Sequence, residues 1–156
     1  MSEGHHRRNA QVQRRADVTW EGDLVGGNGT ITGGTSGAVA NLPVSWPSRV
    51  EEPAGKTSPE ELLAASHAAC YAMAFSYELT GRGAPPERLQ VSATVGLDPK
   101  VGGGFEVSSS HLDVQGTVPG MDQATFEEAA RQAEQACPIS NVLRGNATIT
   151  VHATLG

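Results

Sequence analysis

The chain has 156 residues, 38% of them hydrophobic, with 19 glycines and a net charge of −6. That length suits one compact domain, and no apolar run approaches the roughly 18 residues that span a bilayer. Four bases (Arg7, Arg8, Arg14 and Arg15) crowd the first fifteen residues, so the remaining body is more acidic than the whole and should repel nucleic acid.

Residues 1–15 read as a flexible basic tail, and residues 16–156 as a single domain. The start, MSEGHHRRNA, has no apolar signal-peptide core, which points to the cytoplasm. From Asp17 the pattern is strand-like, with Val18, Trp20, Gly22 and Leu24 alternating with polar positions. Gly26-Gly27-Asn28-Gly29 predicts a turn, after which Gly29 to Thr32 pairs back as a hairpin. Residues 38–50 read as further extended chain, confined by Pro43 and Pro47 to an edge or a bulge. Ser58-Pro59-Glu60-Glu61 predicts a helix start with a capping box and proline in the first position. This alanine-rich helix carries large residues on nearly every side, so it should be buried all round. Its end falls near Gly81-Arg82-Gly83, and Pro85-Pro86 forbids continuation.

Val91, Ala93, Val95 and Leu97 then alternate as a strand. The chain turns at Pro99 to Gly104 and returns through Phe105, Val107, Leu112, Val114 and Val118. A second helix is predicted from about Asp122 to Ala136, packing through Phe126, Ala129, Ala130 and Ala133. Pro138 breaks or restarts it with Cys137 at the junction. The last strand, residues 147–155, faces Ile149, Val151, Ala153 and Leu155 one way. The sum is an α+β domain of strands expected to pair antiparallel, with two main helices.

The chemistry rests on few residues. Two cysteines 67 positions apart, with no CxxC, cannot make a disulfide framework or a four-ligand zinc site alone. They are either buried inert thiols or a redox pair. A reactive thiol must be ionised, and the interior of the helix around Cys70 supplies no positive charge. Between Arg15 and Arg82 the only cations are Arg49 and Lys56. Arg49 could hold a thiolate and donate to a peroxide oxygen, or be an exposed arginine at a strand end. Glu60 could orient Arg49, or simply favour the helix dipole. Ten residues separate Glu60 from Cys70, about 15 Å along one straight helix. Should both serve one site, Glu60 must come from another subunit. Cys137 would cap a short helix over residues 138–144, where the dipole favours a thiolate. His67 and Cys70 have HxxC spacing, half of a zinc site that Cys137 could extend.

The run from Ser58 to Cys70, SPEELLAASHAAC, closely resembles the first signature of the OsmC/Ohr family, named for osmotic induction and organic hydroperoxide resistance. Ala136-Cys137-Pro138-Ile139-Ser140 resembles its second signature, and Thr19-Trp20-Glu21-Gly22 is similar to the OsmC branch. The resemblance implies a thiol peroxidase of the OsmC-like fold, an intertwined homodimer with sites at the subunit interface, protecting against oxidative stress. It implies a peroxidatic Cys70, a resolving Cys137, Arg49 as the OsmC-branch arginine, and Glu60 beside it. In the Ohr branch that arginine lies nearer the N-terminus, where Arg14 and Arg15 stand here. The resemblance further implies a hydroperoxide substrate, a dithiol reductant of lipoyl type, and no metal or other cofactor. Two other readings stay open: a non-catalytic thiol redox sensor or binding module, and a zinc protein using His67, Cys70 and Cys137.

Overall fold

The structure is a computed structural model that describes residues 10–156. Arg7 and Arg8 of the expected tail lie outside the described residues. Residues 10–15 carry neither helix nor strand, and the backbone of Arg15 is tied to Thr35, whose N–H donates to the Arg15 carbonyl at 2.9 Å. The chain forms two compact units, one ending at Ser58 and the other running Pro59–Gly156.

The first unit is a small antiparallel sheet in the order β1-β2-β3, built from β1 (Ala16–Glu21), β2 (Asn28–Gly34) and β3 (Leu42–Val44). The first strand stops at Glu21, earlier than the alternation of Gly22 and Leu24 suggests. Gly22 takes φ +93°, a left-handed conformation that ends the strand. Pro43 sits in the edge strand, where a missing N–H is harmless. Residues 46–50 are not extended as expected; they form a short helix, α1 (Trp46–Val50). A reciprocal capping box starts it: the Ser48 N–H donates to Ser45 Oγ at 3.1 Å, and the Ser45 N–H donates to Ser48 Oγ at 3.0 Å. Pro47, read in the sequence as a strand constraint, instead occupies the first turn of a helix, where its fixed φ is suitable.

The second unit contains α2 (Pro59–Gly81), β4 (Arg88–Pro99), β5 (Phe105–Thr117), α3 (Gln123–Ala136), α4 (Pro138–Leu143) and β6 (Thr148–Leu155). Its sheet order is β4-β5-β6. The β4–β5 hairpin is antiparallel, but β5 and β6 pair in parallel, because the chain crosses over through α3 and α4 before re-entering the sheet. Helix α2 packs over β4, and α3 over β6. The core between helices and sheet is Tyr71, Phe75 and Leu79 from α2, Leu112 and Val114 from β5, and the small residues of α3. Phe75 and Phe126 stack tilted, ring centroids 4.9 Å apart. Phe126 reaches the sheet only because residue 116 is glycine; a Cβ there would lie 2.5 Å from the ring's Cζ.

Helix α2 is not buried all round. His67, Tyr71, Phe75 and Leu79 recur at four-residue spacing and are fully buried, whereas Met73 is 69% and Tyr77 82% exposed. The sheet and α3 cover one side of the helix. Its other side presents an apolar stripe to solvent.

Candidate active site

The second signature is shaped by proline. Pro138 has no N–H to continue α3 and restricts the residue before it to extended backbone. Cys137 adopts φ −68° and ψ 116°, ending α3 as its C-cap and starting α4 as its N-cap. The Ser140 N–H points at Cys137 Sγ, 3.5 Å away. Cys137 is fully buried, while Cys70, from the middle of α2, is partly exposed.

The two sulfurs meet. The Cys137 thiol donates to Cys70 Sγ across 3.2 Å, with both cysteines free. A disulfide needs about 2.05 Å between sulfurs, so closure is a movement of about an ångström. Burial pushes the Cys70 thiol above the ordinary cysteine value. A hydrogen bond from the Ile139 backbone N–H opposes that rise, and neighbouring Cys137 reinforces it. Within the second unit burial therefore favours the neutral thiol of Cys70.

Cys70 opens onto a groove of ≈ 670 Å³ lined chiefly by apolar groups, among them Met73, Ala74, Tyr77, Pro138 and Ile139. Glu78, a polar member of the lining, is paired with Arg82 at 3.0 Å. The wall facing the thiol thus accepts a hydrocarbon group without desolvating a free charge.

A family model described as "OsmC-like protein" matches residues 52–152. The chain belongs to the OsmC family. Peroxiredoxin OsmC of Escherichia coli (strain K12) is 37% identical over 138 residues, covering 88% of this chain and 94% of that protein. The organic hydroperoxide resistance protein of Xanthomonas axonopodis pv. citri (strain 306) is 32% identical over 134 residues, covering 78% of this chain and 89% of that one. Among solved structures, the organic hydroperoxide resistance protein OhrB of Bacillus subtilis superposes with a TM-score of 0.70 at 24% identity, covering 89% of this chain and 97% of that chain. An OsmC protein from Legionella pneumophila gives 0.70 at 23%, covering 95% and 100%. These two likenesses show that the OsmC fold is shared.

In this OsmC chain the structure brings Cys70 and Cys137 together. Glu60 is buried near the start of α2, and since α2 is one continuous helix, about 15 Å of it separates Glu60 from Cys70. Arg49 lies in the last turn of α1, its guanidinium 6.0 Å from the centroid of the Trp46 ring. Arg15 pairs with Asp17 at 3.3 Å on the surface, and Arg14 donates to the neighbouring Gln13 carbonyl.

The zinc reading requires His67, Cys70 and Cys137 to converge. Instead His67 is fully buried, with Nδ1 2.6 Å from Ser110 Oγ and Nε2 2.7 Å from Ser140 Oγ. Among the described residues no group of three or more His, Cys, Asp or Glu is placed to hold a metal. Burial lowers the pKa of His67. A neutral ring then donates through one nitrogen and accepts at the other, with the serine hydroxyls reciprocating. Sequence reading does not single out Ser110, and it names Ile139 and Ser140 only as members of the second signature, with no role of their own. The available signal is Pro138 at the first helical position, which leaves the amides of 139 and 140 without helical partners and free to face a sulfur.

Proposed function

We propose that this chain is a cysteine-based peroxidase that reduces organic hydroperoxides to the alcohol and water through a Cys70–Cys137 disulfide. The observation that carries it is the 3.2 Å contact between the buried Cys137 sulfur and that of Cys70, which lines an apolar groove. The Cys70 thiolate attacks the distal oxygen of ROOH; the O–O bond breaks, the alkoxide takes a proton to leave as ROH, and Cys70 becomes a sulfenic acid. The thiol of Cys137 displaces its hydroxyl as water, forming the disulfide. A dithiol donor, of lipoyl type in our reading, restores both thiols by exchange.

Arg49 is our candidate for the cation that offsets the effect of burial on Cys70, with Glu60 orienting it. Because α2 separates Glu60 from Cys70, each site would draw Glu60 from one chain and Cys70 from the other. A homodimer would also cover the exposed Met73 and Tyr77 stripe. Residues 16–156 would act as one functional domain in such a dimer, with the basic tail outside it. Among the described residues no helix is long and apolar enough to cross a membrane, and we place the protein in the cytoplasm, where thiols are kept reduced. The acidic body argues against a nucleic-acid partner.

Steady consumption of cumene hydroperoxide in the presence of dihydrolipoamide tests this function. Sustained turnover, faster than with hydrogen peroxide, is expected from the apolar groove. A single stoichiometric oxidation that the dithiol does not renew would instead indicate a redox sensor.

A further inference from the structure

We propose that His67 is a positioning residue for the second half-reaction, holding the Cys137 corner against Cys70 through Ser140 and so setting how fast the sulfenic acid closes to the disulfide. The inference rests on the peroxidase reading above. His67 precedes Cys70 by three residues on α2, so the two are neighbours on one face of the helix. Its Nε2 meets the Ser140 hydroxyl at 2.7 Å, while the backbone N–H of Ser140 points at Cys137 Sγ. One residue of α4 thus faces the histidine with its side chain and the resolving sulfur with its amide. The Ile139 amide reaches Cys70, and the sulfurs touch at 3.2 Å. These links close a ring that runs from Cys70 along α2 to His67, across to Ser140, and back through Cys137. The second ring nitrogen meets the Ser110 hydroxyl at 2.6 Å on β5, a strand that carries neither thiol and lies outside this ring of links.

Packing alone would be served by an apolar side chain, as at Phe75 and Leu79 further along the same buried stripe. A buried imidazole costs desolvation, which its two serine partners offset. What the imidazole adds is a directional tie between the two thiol-bearing elements. In the step concerned, the S–O bond of Cys70–SOH breaks, the S–S bond forms, and the hydroxyl leaves as water with the proton of Cys137. The competing step consumes a second ROOH, converting Cys70–SOH to the sulfinic acid and releasing ROH. A reacting pair already in contact favours closure by proximity, and small displacements are costly. Loosening the tie should therefore slow closure, increase over-oxidation and leave the first oxidation unchanged.

The experiment compares Ser140→Ala with Ser110→Ala. Each deletes one hydroxyl hydrogen bond to His67, so a purely structural histidine predicts similar effects from both. Single-turnover reactions with cumene hydroperoxide, acid-quenched and read by intact mass, separate sulfenic acid formation from disulfide formation. Ser140→Ala is expected to slow closure by about tenfold, with more sulfinic acid at excess peroxide and a first step within about twofold of wild type. Ser110→Ala should leave both steps within about twofold, and Ser140→Thr, which keeps the hydroxyl, should restore closure. Equal closure in wild type and Ser140→Ala, or equal slowing by both alanine variants, overturns the inference. A wild-type protein that forms no disulfide overturns the peroxidase reading and this inference with it.

Discussion

Replacing Gly116 with alanine sets two physical effects against each other. In a strand, alanine restricts the unfolded chain more than glycine does, which favours folding by roughly 0.5–1 kcal/mol. The new methyl, however, would lie 2.5 and 2.7 Å from Phe126 Cζ and Cε2, and 3.1 Å from Leu89 Cδ2. Phe126 is fully buried and stacked on Phe75, which in turn packs on Tyr71 at 5.6 Å, so the ring has nowhere to move without shifting α3. Overpacking of this kind costs about 1–3 kcal/mol. The net expectation is a loss of about 1–2 kcal/mol, or several degrees in Tm for a chain of this size. Urea unfolding of wild type and Gly116→Ala at one protein concentration measures it, the concentration being fixed because the proposed dimer contributes to stability. A variant as stable as wild type, or more so, would refute the packing argument.

Arg49→Ala should raise the pKa of Cys70 and slow its reaction with peroxide far more than Arg14→Ala or Arg15→Ala, read by thiolate absorbance and stopped-flow kinetics; a larger effect from Arg14 or Arg15 would move the catalytic arginine to the N-terminal segment. A heterodimer of a Glu60→Ala chain with a Cys70→Ser chain, purified by two tags, should regain about half of wild-type activity per dimer, because one site inherits both lesions and the other neither; no rescue between folded parents would mean that both residues act within one chain or that Glu60 is only a helix-cap residue. Burial holds His67 below its ordinary value of 6.5. As pH falls, the unfolded chain binds that proton first, so the stability from His67 is full above 6.5 and is lost as pH falls through the lower folded value. Urea unfolding across this range should therefore show a smaller pH slope for His67→Gln than for wild type, and an unchanged slope would contradict a buried neutral histidine.

The elements that proline and alternation punctuate were legible in the sequence. Pro59 and Gly81 bound α2, Asp122 caps α3 by accepting the Thr125 N–H at 2.7 Å, and Pro138 fixes Cys137 between two helices. The alternation in residues 147–155 named the buried face of β6, but periodicity says nothing about strand partners, and the parallel pairing with β5 follows from the crossover. The short helix α1 was hidden because Pro43 and Pro47 both look like strand breakers, while the Ser45–Ser48 box is a weak capping signal. The apolar stripe of α2 misled in another way, since an exposed helix face and a buried one can have the same composition. At the site, the cysteines and the α4 cap were readable from motif and proline position. The tie from His67 to Ser110 and Ser140 was not, because those partners lie 43 and 73 residues away.

In the peroxidase proposed above, Cys70 takes the oxygen and Cys137 removes it. Treating wild type and Cys137→Ser with one equivalent of cumene hydroperoxide, then mapping peptides in the presence of a sulfenic-acid trap, tests it most directly. A Cys70–Cys137 disulfide is expected in wild type, and a trapped sulfenic acid on Cys70 in Cys137→Ser. A Cys137→Ser protein that sustains full turnover with a dithiol donor, or a trap found on Cys137 in a Cys70→Ser protein, would contradict it.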